Sequence, residues 1–210
     1  MSDAVAPNQR SPSTLPNDVQ PSPLGLSAQD SELDAQASVL STQDPAPRTS
    51  SSTYPAMRIG SMEIWPPVQL AALAGYSDAA MRTLCRSFGA PYAVAEMILD
   101  APVLISKTIR KHMRLWETDH PIAAQITCSS VDNSVLAAQT LVEMGYEAVE
   151  LNFACPVGKL VRRGRGGAFL KDPAKSLEYL EAVRRAIPLA VPVSLKLRTG
   201  WDETPESEKG

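Results

Sequence analysis

Past residue 56 the chain alternates short apolar runs with longer amphipathic stretches. Residues 68–73 read as a strand, followed by a helix over about 78–88. A second apolar run at 92–97 leads into helical material reaching about residue 116. A third at 122–126 precedes a helix over about 132–144, and a fourth at 148–152 precedes a Gly/Arg-rich loop and a helix over about 173–186. A fifth strand is expected at 193–198. The strands are continuous apolar runs rather than alternating ones, the pattern of strands buried on both faces. Strand and helix in strict alternation imply βα units and a parallel sheet.

Two α/β architectures satisfy this pattern, a doubly wound sheet and a (β/α)8 barrel. The turn after the first strand, Ala74-Gly75-Tyr76-Ser77-Asp78, lacks the glycine spacing of a dinucleotide-binding fold. Polar residues gather instead at the carboxyl ends of successive strands: Glu96, Gln125, Asn152, and Lys196 with Arg198. A barrel builds its active site at that end. The expectation is therefore a partial TIM (β/α)8 barrel of about five βα units over 57–210, breaking off after the fifth strand. A stretch of that length should by itself expose an open strand edge.

Composition separates the first 56 residues from the rest. They hold eight prolines, eleven serines, six acids and only Arg10 and Arg48 as bases. Such a segment cannot bury enough apolar surface to offset its ordering entropy, and 1–56 is expected to be a disordered Pro/Ser-rich tail. The remaining 154 residues carry 18 Lys+Arg and 17 Asp+Glu, so the net charge of -3 arises in the tail and says little about partners. Cys85, Cys128 and Cys155 form no CxxC pair, which suggests a reduced, cytoplasmic protein. With two histidines no His-rich metal site is expected, and no apolar run is long enough to span a membrane. Nothing in the sequence calls for an obligate protein partner.

The richest segment runs from Asn152 through Cys155-Pro156 into Lys159, Arg162, Arg163 and Arg165. A thiol with an ordinary pKa of about 8.5 is mostly protonated at neutral pH and can donate a proton from a loop beyond a strand end. A cysteine is equally at home as a small buried hydrophobe. For Cys85 and Cys128 the hydrophobe is the better description; Cys155 suits both. The basic cluster reads either as a solvated face or as a set of phosphate contacts. Lys196, between Leu195 and Leu197, shares one strand side with Arg198, and an interior pair of cations is costly unless it meets an anion or an electron-rich ring.

Together these pieces resemble the tRNA-dihydrouridine synthase family from about Gln69 to Glu203. The resemblance is carried by Leu70-Ala-Ala-Leu-Ala-Gly-Tyr-Ser-Asp78, Ala95-Glu96-Met97 and Pro121-Ile-Ala-Ala-Gln125. It continues with Asn152-x-x-Cys155-Pro156-Val157 and its Lys/Gly sequel, and with Lys196-Leu-Arg198-Thr-Gly200-Trp201. It implies a flavin barrel with FMN as cofactor, NADPH or NADH as reductant and tRNA as partner. By motif match, Ala72, Leu73 and Ala74 would lie against the flavin ring, and Gln125 and Lys196 would bond its pyrimidine edge. Asn152 and Arg198 would contact the target uracil, with Lys159, Arg162 and Arg163 as further substrate contacts and Cys155 as the acid. Two alternatives stay open: a flavin barrel acting on a free pyrimidine of the dihydroorotate type, and an inactive fragment of a dihydrouridine synthase.

Overall fold

The computed structural model describes residues 54–202. The expected tail at 1–56 lies outside these residues except for 54–56. The described chain opens with an antiparallel hairpin, β1 (Met57–Ile59) and β2 (Met62–Ile64). Four parallel strands follow, in the order β3 (Ala93–Leu99), β4 (Ile122–Thr127), β5 (Ala148–Asn152) and β6 (Val193–Lys196), each beside the next. Helices fill the connections: α1 (Ala79–Ser87) before β3, α2 (Asp100–Ile105) and α3 (Lys107–His112) before β4, and α4 (Val131–Glu143) before β5. A short α5 (Gly158–Val161), a 3-10 segment (Gly166–Lys171) and α6 (Pro173–Ala186) precede β6. Strand order never reverses, so the sheet has no switch point of the doubly wound kind. This is the α/β partial barrel that the alternation predicts.

Polar caps set where the helices begin. Asp78, Ser106, Ser130 and Asp172 each accept a hydrogen bond from the backbone N–H three residues on, at Met81, Ile109, Asn133 and Lys175. Pro173 adds the fixed φ that favours a first helical position.

Both faces of the sheet are apolar, and each face has its own core. Ala93, Ala95, Ile122, Ala124, Ile126, Val149 and Leu151 pack outward against α4 and α6 through Ala137, Ala138, Leu141, Tyr179 and Val183. Val94, Ala123 and Ala148 face the other way, where Ile64 and Tyr92 cover them. The hairpin thus closes the amino-terminal end of the sheet interior, and polar side chains appear only further along the strands.

Three local readings change. The strand expected at 68–73 shrinks to a single parallel bridge, Leu70 to Ala93, with Leu70 N–H donating to Tyr92 O and Val94 N–H to Leu70 O. The chain turns away at once because Ser77 bonds both the N–H and the carbonyl of Leu73. The hairpin has strands of three residues, too short for a periodicity to register. Its one signal is Gly60, whose φ of 59° is the glycine-favouring conformation that opens a two-residue turn. The Gly/Arg-rich stretch is not an open loop, for it holds α5 and the 3-10 segment, and the stacked rings of Phe153 and Phe169, 4.1 Å between centroids, tie it to the core.

Because Ile64 is fully buried against the strand interior, Ile64→Ala should lower unfolding free energy by about 2–5 kcal/mol in a denaturant titration. An unchanged midpoint would show that the hairpin does not seal the interior.

Candidate active site at the carboxyl ends of the strands

The side chains that share the inner face of the sheet change from apolar to polar between the first and second half of each strand. Register places Gln125 beside Glu150, Glu150 beside Ser194, and Asn152 beside Lys196. Gln125, Glu150 and Asn152 are buried, with exposures of 3%, 8% and 6%. A buried amide must find partners for its donors and its oxygen, and these do. Gln125 Nε2 donates to Glu150 Oε1 at 2.5 Å, while Asn152 Nδ2 donates to Gln125 Oε1 at 2.8 Å and to the Met97 thioether at 2.8 Å. Asn152 Oδ1 then accepts from the N–H groups of Ala154 at 3.1 Å and Cys155 at 2.9 Å. The strand interior is thereby wired to the backbone that carries the cysteine.

The turn at Cys155 is held from two further sides. Its carbonyl accepts from Gly167 N–H at 2.9 Å, and Arg198 Nε donates to the Ala154 carbonyl at 2.7 Å. Gly166 has φ of 56°, and a Cβ there would come within 2.7 Å of the Cys155 carbonyl, so any larger residue displaces the turn. Cys155 itself is half-buried, whereas Cys128 is fully buried and its thiol is pushed up to about 12 by burial. All three cysteines are free thiols.

Burial also pushes the Glu150 carboxyl above the usual carboxylate range, while the Gln125 hydrogen bond, the Lys196 charge and the Ser194 hydrogen bond favour the ionised form. Lys196 and Arg198 are exposed, and so are Lys159, Arg162 and Arg163 on and just beyond α5. The structure therefore brings Gln125, Asn152, Cys155 and Arg198 into one connected set, with Lys196 joined through Glu150. Lys159, Arg162 and Arg163 stand outside that set on the adjoining surface.

Ala72, Leu73 and Ala74 occupy the turn after the Leu70 bridge. Ala72 packs on the inner core, and Leu73 and Ala74 are exposed. The turn is braced from below. Glu96 accepts from Gly75 N–H with one oxygen and meets His112 Nε2 with the other, at 2.8 Å. Arg82, paired in the interior with Asp119, donates to the Ser77 carbonyl at 2.8 Å. Sequence reasoning missed Glu150, Met97 and the Arg82–Asp119 pair. For Glu150 a signal existed, because two polar residues at alternate positions of the run Ala148-Val-Glu-Leu-Asn152 must share one face.

No helix among the described residues is long and apolar enough to cross a membrane, and no cluster of three or more His, Cys, Asp or Glu side chains suited to a metal ion occurs among them. Comparison with known proteins bears on the same stretch of chain. The dihydrouridine synthase family model matches residues 69–209. The chain is 37% identical over 148 residues to tRNA-dihydrouridine synthase B of Pseudomonas aeruginosa, covering 70% of this chain and 44% of that protein. It is 36% identical over 148 residues to the synthase B of Xanthomonas campestris pv. campestris, with shares of 70% and 44%. Against a probable tRNA-dihydrouridine synthase of Rhodobacter capsulatus it is 33% identical over 147 residues, with shares of 69% and 45%. The chain thus spans less than half the length of these relatives. The matched residues include every strand of the parallel sheet and the whole connected set around Cys155, and on that match the chain belongs to the dihydrouridine synthase family.

Proposed function

We propose that this chain carries the catalytic half-site of a flavin-dependent tRNA-dihydrouridine synthase, an oxidoreductase that saturates the C5–C6 bond of uridine in tRNA. One observation carries the reading: a half-exposed cysteine whose backbone is fastened to a buried amide network at the carboxyl ends of parallel strands. The domain division that goes with it is a Pro/Ser-rich leader over 1–56 and barrel material over 57–210. The free thiols agree with a reducing, cytoplasmic setting.

The residues present fit FMN. Thr127 Oγ1 is buried with no hydrogen-bond partner among the described residues and shares its strand face with Gln125, so this rim holds polar capacity that the protein does not itself use. Ala72 and Ala74 add only methyl groups to the neighbouring turn. In this reading Ala72, Leu73 and Ala74 lie against the ring, and Gln125 and Lys196 address its pyrimidine edge. FMN, if bound there, would supply the hydride chemistry, with NADPH or NADH as its reductant. Cys155 supplies the proton to C5, Arg198 and Asn152 hold the base, and Lys159, Arg162 and Arg163 meet the phosphates of tRNA. The uridine must leave its stack to reach the cysteine, which favours a basic surface beside the site. That same surface favours a polymeric substrate over a free pyrimidine.

Two outcomes check this reading. In a preparation that converts uridine, Cys155→Ala should retain NADPH oxidation and lose dihydrouridine formation by about 10²–10⁴-fold; product formed at the wild-type rate would remove Cys155 from catalysis. Replacing Arg162, Arg163 and Arg165 together with Ala should weaken tRNA binding and lower the slope of log affinity against log salt by roughly one unit per lost phosphate contact. An unchanged slope would return the cluster to the status of a solvated face.

A further inference from the structure

The proposed chemistry leaves Glu150, the buried acid of the strand interior, without a task. Glu150 lies on the inner face of β5 between Gln125 on β4 and Ser194 on β6. An acid at 8% exposure among parallel strands is costly to keep, and its contacts show what it does there. A carboxylate offers only acceptors, whereas a primary amide has a donor end and an acceptor end. With Glu150 Oε1 accepting from Gln125 Nε2, the Gln125 oxygen is turned toward Asn152 and accepts from its Nδ2. The Asn152 oxygen is then turned toward the chain beyond the strand, where it accepts from Ala154 and Cys155 N–H.

The alternatives at each amide are poor. A flipped Gln125 would set its oxygen against the Glu150 carboxylate and its NH2 against the NH2 of Asn152. A flipped Asn152 would point its NH2 at two backbone donors. Each flip leaves buried polar groups unsatisfied at about 1–3 kcal/mol apiece. One acidic residue therefore sets the sense of the whole chain of hydrogen bonds.

We infer that Glu150 is a positioning residue for Cys155: its oxygens orient the amides of Gln125 and Asn152, and those amides hold the turn that presents the thiol. The inference rests on the reading of Cys155 as the reacting thiol, and it concerns how that thiol is presented rather than what it reacts with.

The test is thiol alkylation of the 1–210 chain by iodoacetamide, followed at Cys155 and Cys85 separately by peptide mass spectrometry. Glu150→Met removes the acceptor at similar volume and should raise the Cys155 rate by about fivefold, with Cys85 unchanged. Glu150→Gln retains an oxygen able to accept from Gln125 and should stay within about twofold of wild type. Gln125→Met cuts the same link one strand away. It should reproduce the rise if Glu150→Met does not fold, and the double variant should add nothing to either single one. A Cys155 rate unmoved by Glu150→Met, or a parallel rise at Cys85, would overturn the inference. The assay needs no flavin, tRNA or turnover, so a failure of the dihydrouridine synthase reading in activity measurements would leave this result distinguishable.

Discussion

Asn152 ends β5 with its amide buried, and a buried amide must use both its donors and its oxygen within the protein. The arrangement of the site follows from how that requirement is met. Its two hydrogens go back into the sheet, to Gln125 and Met97, and its oxygen goes forward to the backbone of Ala154 and Cys155. The residue thus converts the rigidity of the strand layer into a fixed position for a residue three places beyond the strand. A site built on strand ends is positioned more tightly than one carried by a free loop. Here one side chain makes the connection, reinforced by Gly167 and Arg198 from the other sides.

The same requirement explains why the strand interiors change character along their length. Toward the amino-terminal end, Val94, Ala123 and Ala148 need only shape and apolar cover, which Ile64 and Tyr92 supply. Toward the carboxyl end the inner face must orient amides, and orientation needs an acceptor facing Gln125 Nε2. Glu150 provides it, at the expense of a carboxyl held above its usual range by burial and eased by Gln125, Lys196 and Ser194. The turn bearing Ala72, Leu73 and Ala74 is braced in a similar way, by Glu96 on Gly75 and by Arg82 on Ser77. In both places a residue carrying no chemistry of its own fixes backbone that faces the site.

The sequence made the large elements legible because their signals were local and redundant. The strand at 148–152 and the helix at 173–186 came out with the bounds that the structure has. The strand at 68–73 did not survive, since an apolar run cannot reveal that Ser77 will capture Leu73 and turn the chain. The hairpin escaped because three residues per strand give no period to detect. The order of motifs from Ala72 to Arg198 was readable, but the partners of each residue were not. Glu150 and Gln125 are 25 positions apart and meet only through strand register. The Arg82–Asp119 pair, 37 positions apart, is hidden for the same reason.

The central claim is that Asn152 holds the Cys155 turn to the strand interior, and amide hydrogen exchange measures that bond directly. In Asn152→Ala the Ala154 and Cys155 amides lose their acceptor. They should exchange at least about tenfold faster than in the wild type, while the amides of Val149 and Leu151 within the sheet keep their protection. Unchanged exchange at Ala154 and Cys155 in that variant would contradict the account.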